Sequence, residues 1–304
     1  MPGFEEYIGV YVLLGEPCAI LDIGPYSSMK HVLDALEELG IKPDQVGYLL
    51  LTHVHIDHAG AVGQAAKIFP RAKVVVSEYG AKHIINPEKL WSSTLQVLKH
   101  VAEGYGPYEP VSKERVVLAN EGLEIDLGVA RLRVLETPGH ARHHVSYFDA
   151  ERRWVFAGDS LGVYIPSVDM LRPDTPPRLD FEALLNSLEK TRRLQPRKIF
   201  YAHFGWVEEA EAWFGRCLNQ LLLWAETLCS LEDSSLLDAK RAMQALHERD
   251  PEMKKLGKLK PERRSKEDFF LGNSLTGFLD YIQRVGRERV SGIVERFLRG
   301  KADR

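Results

Sequence analysis

Cysteine is scarce. Cys18, Cys217 and Cys229 are the only three in 304 residues, too few and too scattered for a disulfide framework or a thiolate metal site. No apolar run approaches the ~18 residues that a membrane helix requires, and no basic start followed by an apolar stretch opens the chain. With a reducing compartment as the simple reading of the thiols, these absences point to a cytoplasmic protein. Charge of one sign is not in excess either. Forty Lys and Arg against 43 Asp and Glu give a net charge of −3, too small to predict a nucleic-acid or membrane partner by itself. Hydrophobic residues at 44% and charged residues at 27% exclude disorder, collagen-like repeats and coiled-coil rods as the dominant state. At roughly 150 residues per domain, the length admits about two units. The charge is uneven, with fourteen Lys and Arg facing eight Asp and Glu from residue 251 onward.

The first 80 residues alternate strand and helix signals. Tyr7–Leu14 and Ala19–Ile23 read as a hairpin around Gly15-Glu16-Pro17. Met29, Val32, Leu33, Leu36 and Leu39 recur at helical spacing, and Gly40 suits the end of that helix. Val46–Leu51 is a continuous apolar run of the kind found in a strand buried on both faces. Ala59–Phe69 reads as a helix and Lys73–Ser77 as a strand. Residues 79–110 read as an inserted helical lid. Strand signals return at Arg115–Ala119, Leu123–Asp126, Arg131–Glu136, Val145–Phe148, Trp154–Phe156 and Lys198–Ala202, with a helix at Phe181–Leu194. From Val207 onward only helices are expected.

What the chain does have is eleven histidines, several at telling intervals. His53, His55, Asp57 and His58 lie within six residues at the end of the buried strand. In an extended segment alternate residues point the same way, so His53, His55 and Asp57 are expected to converge on one side before a helix carries His58. Imidazole and carboxylate at this density suit a divalent transition metal such as zinc, iron or manganese. One ion cannot conveniently take all four groups, so Asp57 and His58 are read as facing a second. Thr137-Pro138-Gly139-His140, Gly158-Asp159 and His203 each follow a strand, where site residues of α/β cores gather.

Together, His53-x-His55-x-Asp57-His58, the Thr137–His140 turn, Gly158-Asp159 and Ala202-His203 resemble, in order, the signature of the metallo-β-lactamase fold superfamily over roughly residues 5–210. The resemblance implies an α+β fold, an αββα four-layer sandwich with a dinuclear site at one edge. Residues 1–210 would be the catalytic domain, with the lid at 79–110, and residues 211–304 a C-terminal helical extension. His53, His55 and His140 would bind the first metal, Asp57, His58 and His203 the second, and Asp159 would bridge them. Two divalent ions are implied, zinc first, with iron or manganese also accommodated. The implied activity is a hydrolase that uses a metal-bridging hydroxide to cleave an ester, thioester or lactone, with Asp57 orienting the hydroxide. Zinc β-lactamases with this first motif generally lack the bridging aspartate, and flavodiiron proteins usually carry a glutamate in place of His55. A thioesterase of the glyoxalase II kind also ends in helices, although its glutathione-binding residues find no convincing match. The alternatives are a phosphodiesterase or nuclease of the same fold, and a metal-containing ligand sensor with weak hydrolase activity.

Around the site, Asp22 ends a strand and is read as either a holder of a ligand histidine or a turn residue. His143 and His144 are read as surface or packing residues, with a supporting role for His144 as the alternative. Tyr26 and Tyr164 are read as packing residues that could donate to an oxyanion. Trp91, Tyr105 and Tyr108 of the lid could wall an apolar pocket with the C-terminal helices. Lys254, Lys255, Lys258, Lys260, Arg263, Arg264 and Lys266 read as a solvated linker rather than a dock for an anionic partner. A small-molecule substrate is expected, without a membrane and without nucleic acid.

Overall fold

The computed structural model describes residues 7–232 and 238–302. Its first sheet has the order β1-β2-β3-β4-β5, formed by Tyr11–Leu13, Cys18–Leu21, Val46–Leu50, Lys73–Val76 and Val116–Leu118. β1 is antiparallel to β2, and the other pairs are parallel. The second sheet is built from β6 (Glu124–Asp126), β7 (Arg131–Glu136), β8 (Val145–Asp149), β9 (Trp154–Gly158), β12 (Lys198–Tyr201) and β13 (Trp206–Glu208), in the order β13-β12-β9-β8-β7-β6. A separate hairpin pairs β10 (Val163–Ile165) with β11 (Met170–Arg172).

Strand alternation creates the layers. Leu50 and Val75 point between the sheets, where they meet Leu132, Val134, Val145, Tyr147 and Phe156. Their neighbours Leu49, Leu51, Val74 and Val76 point outward, onto Met29, Val32 and Leu36 of α1 (Met29–Glu38) and Val62, Ala65 and Ala66 of α3 (Val62–Ile68). Between these helices α2 is a single turn, Ile56–Ala59. The period of two thus gives each strand of the first sheet two apolar faces, one per layer.

The second sheet's outer face, including Val155, Ala157 and Ile199, packs on α7 (Phe181–Arg193) and on the helices beyond residue 209. Sheets with helices outside both of them make an αββα sandwich. The segment expected as a lid holds α4 (Glu78–Ile85), α5 (Glu88–Leu98) and α6 (His100–Tyr105). The C-terminal region holds α8 (Ala210–Ser230), α9 (Ala239–Arg249), α10 (Pro261–Val285) and α11 (Arg287–Ala302). Trp224 of α8, Phe278 of α10 and Val290 of α11 are fully buried in the same apolar cluster as Ile199 of β12, and each large side chain so buried contributes roughly 1.5–3 kcal/mol. No helix among the described residues is long and apolar enough to cross a membrane.

Three expectations are corrected. The first strand pairs only over Tyr11–Leu13, because residues before it run beside the His203 loop, where the Gly9 amide donates to the Ala202 carbonyl at 2.6 Å. The chain after Ala202 makes a further strand, β13, before any helix, its Val207 register opposite Ile199 closing the sheet edge. The expected helix at Ala59–Phe69 divides into α2 and α3, with Gly60 and Ala61 between them.

Candidate metal centre

Direction of travel assembles the site. β7, β9 and β12 run the same way through the second sheet, so His140, Asp159 and His203 follow their C-terminal ends to one rim. β2 and β3 run parallel in the first sheet and bring Asp22 and the Thr52–His58 loop there. All seven sequence-predicted residues meet at this rim, in two groups: His53, His55, His140 and Asp159, then Asp57, His58 and His203, with donor atoms in each group within 4.8 Å of one another. The expected extended course through His53, His55 and Asp57 fails at Ile56. There α2 begins, and about 100° of rotation per residue replaces strand alternation and turns Asp57 toward His58 and His203.

One carboxylate oxygen lies between the groups. Asp159 Oδ2 stands 3.1 Å from His58 Nε2, 3.5 Å from both His53 Nε2 and His140 Nε2, and 3.7 Å from His203 Nε2. In the first group His55 Nδ1 lies 3.0 Å from His53 Nε2 and from His140 Nε2. Four donors about 2.0–2.1 Å from one tetrahedral ion would sit about 3.3 Å apart, close to this spacing. In the second group Asp57 Oδ2 lies 3.5 Å from His203 Nε2, and Asp57 Oδ1 lies 3.8 Å from His58 Nε2.

Hydrogen bonds behind the rings determine which nitrogens face inward. Asp22 Oδ1 accepts from the Thr52 amide at 2.8 Å, while Asp22 Oδ2 accepts from Thr52 Oγ1 at 2.8 Å and from His58 Nδ1 at 2.9 Å. With its proton donated to Asp22, Thr52 Oγ1 accepts from His53 Nδ1 at 3.0 Å. His140 Nδ1 donates to the Asp174 carbonyl at 2.7 Å, and His203 Nδ1 donates to the Tyr7 carbonyl at 3.1 Å. The Nε2 atoms of His53, His58, His140 and His203 are therefore turned inward. His58 Nε2 and Asp159 Oδ1 are buried with no hydrogen-bond partner, an arrangement that is costly unless a cation or proton joins it. The donor set fits divalent metal ions, since oriented neutral imidazoles and carboxylates are the ligands such ions take.

Charge separates the two groups. Burial, reinforced by neighbouring rings, holds the His53 and His55 pKa values well below the ordinary imidazole value. Burial also opposes protonation of His58 and His203, but Asp159 and Asp57 outweigh it at both, with help from Asp22 at His58, and their pKa values rise. Burial resists ionisation of Asp159, yet His58 and His203 hold its pKa well below the carboxylate range. His53 and His55 are thus held neutral, whereas His58 and His203 are drawn toward protonation by the carboxylates beside them.

The profile of the Metallo-beta-lactamase superfamily matches residues 6–203. The chain belongs to the metallo-beta-lactamase superfamily. Its relatives include the Metallo-beta-lactamase fold-containing protein ST1585 of Sulfurisphaera tokodaii, 33% identical over 67% of this chain and 75% of that one. The solved structure of ST1585 superposes with a TM-score of 0.64 at 29% identity, covering 85% of this chain and 95% of that one. A metallo-beta-lactamase family protein of Thermus thermophilus, TTHA1429, shares the fold with a TM-score of 0.69 at 21% identity over 92% and 89% of the two chains. A hydroxyacylglutathione hydrolase of Hamiltonella defensa is 28% identical over 53% of this chain, and the chain spans half of that relative's length.

Superfamily membership supports a hydrolase and leaves the supporting residues to be read from this chain. His144, read as a packing residue, is buried behind the centre: its Nε2 accepts the Asp159 amide at 3.0 Å and its Nδ1 donates to Thr137 Oγ1 at 2.8 Å. Gly158 makes room for this bond. Its φ is +56°, and a Cβ there would meet His144 Nε2 at 2.4 Å. Gly139, at φ +141°, lets α7 pass, since a Cβ would lie 2.3 Å from Leu184 Cα. His143 takes the Val54 amide at 3.4 Å on Nδ1, and burial, with His140, pushes its pKa down to about 3.

Tyr164 packs against Trp213 and Tyr201, with ring centroids 4.8 and 5.7 Å away, and Tyr26 lies against Gly106. Tyr105 and Tyr108 cluster with Ile56 and Val101, and Trp91 and Phe269 pack on them, so the lid and α10 do meet beside α2. The basic segment is not a bare linker: residues 253–258 form a 3-10 helix and Pro261 begins α10, a position suited to proline because its missing N–H is not needed there. Lys255, Arg263 and Arg264 pair with Glu252, Glu267 and Asp268, while Lys254, Lys258 and Lys260 are exposed. The residue that sequence reasoning missed is Asp174. Its Oδ2 stands 4.0 Å from His203 Nε2, and its donor atom groups with those of Asp159 and His203.

Proposed function

We propose that this chain is a dinuclear-metal hydrolase that transfers the acyl group of an ester, thioester or lactone to water. The observation that carries this reading is the position of Asp159 Oδ2, within 3.7 Å of four histidine nitrogens belonging to two donor groups. On this reading His53, His55 and His140 hold one ion, Asp57, His58 and His203 hold the other, and Asp159 is shared. Two bound divalent ions, zinc first and iron or manganese as alternatives, would supply hydroxide at neutral pH and positive charge for a developing oxyanion.

The chain's own groups do the rest. Asp22 and Thr52 hold the Nδ1 side of the His58 and His53 rings, so that their Nε2 atoms are aimed into the centre. The Asp57 side chain is 16% exposed, whereas those of His58 and Asp159 are buried. Its carboxylate would orient the attacking hydroxide and pass that hydroxide's proton to the leaving group. The names of relatives such as hydroxyacylglutathione hydrolase and Glyoxylase B2 of Dictyostelium discoideum, 28% identical over 68% of its length, support a thioester among the acyl substrates.

The test pairs elemental analysis with panels of thioesters, lactones, carboxylic esters and phosphodiesters. The expected result is two ions per chain, acyl turnover lost on chelation and restored by metal, and Asp57→Asn slowing turnover and weakening the second ion. Turnover of phosphodiesters alone would replace the reading with the nuclease alternative. Two ions with no turnover on any panel would favour a sensing role.

A further inference from the structure

The segment Pro173-Asp174-Thr175-Pro176 crosses the rim of the centre directly after β11, and α10 clamps it from a hundred residues away in sequence. Arg172 Nε donates to Glu267 Oε2 at 2.6 Å, with both side chains almost wholly buried. Ser274 Oγ donates to the Pro173 carbonyl at 3.0 Å, and Thr175 Oγ1 donates to the Ser274 carbonyl at 3.1 Å. Gly277 lets the backbones touch, since a Cβ there would sit 1.9 Å from the Thr175 carbonyl oxygen. A buried ion pair held in place by surrounding hydrogen bonds resists displacement, because separating its members leaves an uncompensated charge.

This clamp fixes both ends of Asp174. Its backbone carbonyl accepts from His140 Nδ1 at 2.7 Å, which orients a ring of the first group. Its carboxylate faces the second group: Oδ2 is 4.0 Å from His203 Nε2, while Oδ1 is 3.6 Å from Arg172 Nη1, beyond hydrogen-bond reach. Asp159, Asp174 and His203 each offer a donor atom within 4.8 Å of the others.

From this geometry we infer that Asp174 is a further ligand of the second metal position, delivered by the clamp of α10. The inference rests on the two-position reading above. It makes the positions chemically unequal. The first offers three imidazole nitrogens and one carboxylate. The second offers two imidazoles, from His58 and His203, and three carboxylates, from Asp57, Asp159 and Asp174. An oxygen-rich set favours harder ions, manganese or ferrous iron, relative to an imidazole-rich one, which suits zinc. Glu267 and Ser274 act as positioning residues through Arg172 and the segment.

The experiment is equilibrium dialysis of the full chain against Zn²⁺, Mn²⁺ and anaerobic Fe²⁺ in turn, with bound metal counted by elemental analysis and affinities taken from chelator competition. Wild-type protein should hold two ions. Asp174→Asn should leave the first ion's affinity unchanged, weaken the second at least about tenfold, and weaken it more for Mn²⁺ and Fe²⁺ than for Zn²⁺. A loss of packing alone would not reorder the metals. Asp174→Ser is the second variant should the asparagine protein fail to fold, and Glu267→Gln should move the second affinity in the same metal order by a smaller factor. Two ions held by Asp174→Asn with wild-type affinity and order would overturn the assignment of Asp174 alone. A wild-type chain that holds only one ion overturns the two-position reading and this assignment with it.

Discussion

The loop after β3 carries His53, His55, Asp57 and His58 within six residues, whereas the second sheet contributes His140, Asp159 and His203 singly, one from the end of each of three strands. The two contributions are supported differently. Loop residues share one device at the end of the neighbouring strand β2, Asp22, which accepts from the Thr52 amide, the Thr52 hydroxyl and His58. The scattered trio relies on strand register, on glycines at 139 and 158 that admit neighbouring elements, on His144 behind Asp159, and on the Asp174 carbonyl behind His140. A contiguous motif can be stabilised by its own neighbourhood. A dispersed one depends on the whole sandwich.

The comparison breaks most severely at the residue both groups share. Asp159→Ala should abolish binding of the second ion and weaken the first, cutting turnover by more than the about 10²–10³-fold that loss of one positioned electrostatic contact costs. His203→Ala should leave the first ion in place. Metal stoichiometry of the two variants decides the point, and equal retention in both would show that Asp159 is not shared. Next comes the dispersed half's dependence on tight backbone. Gly158→Ala combines positive φ with a Cβ 2.4 Å from His144 Nε2, so denaturant unfolding should show a loss of about 2–4 kcal/mol. A loss below about half a kcal/mol, the range of an indifferent surface change, would mean that the register at β9 is loose.

Asp22→Ala probes the device that the loop shares. It leaves the Thr52 amide and hydroxyl and the His58 ring without their acceptor, and should lower second-ion affinity about 10–100-fold. Chelator competition measures it, and an affinity within about twofold of wild type, far short of that range, would mean that the loop holds its own shape without Asp22.

The same contrast explains what could be read from sequence. His53, His55, Asp57 and His58 declare themselves because metal ligands rarely crowd six residues by chance, and strand-end positions mark His140, Asp159 and His203 for a chain that alternates strands and helices. A buried strand was legible from the continuous apolar run Val46–Leu51, and the layers followed from the resemblance that the ligand motifs carry. Asp174 was not. Its proximity depends on β10–β11, a three-residue hairpin with weak strand signal, and on the contact of Glu267 with Arg172 across 95 positions. His144 was misread because an adjacent pair of histidines says nothing about which ring points inward. Asp57 left the extended pattern because helix α2 starts one residue before it.

The smallest effect tests whether the lid helps to hold the loop. Tyr108 Oη donates to the Val54 carbonyl at 2.9 Å in a buried contact, directly between His53 and His55. Tyr108→Phe keeps the ring against Ile56 and Val101 and removes one hydrogen bond, so unfolding should show a loss of about 0.5–1.5 kcal/mol. If Asp22 and Thr52 suffice to set the loop, metal stoichiometry and affinity stay at wild-type values and only stability falls. Weakening of the first ion by about tenfold or more would instead make the lid part of the loop's support. The contiguous half would then depend on distant structure, as the dispersed half does.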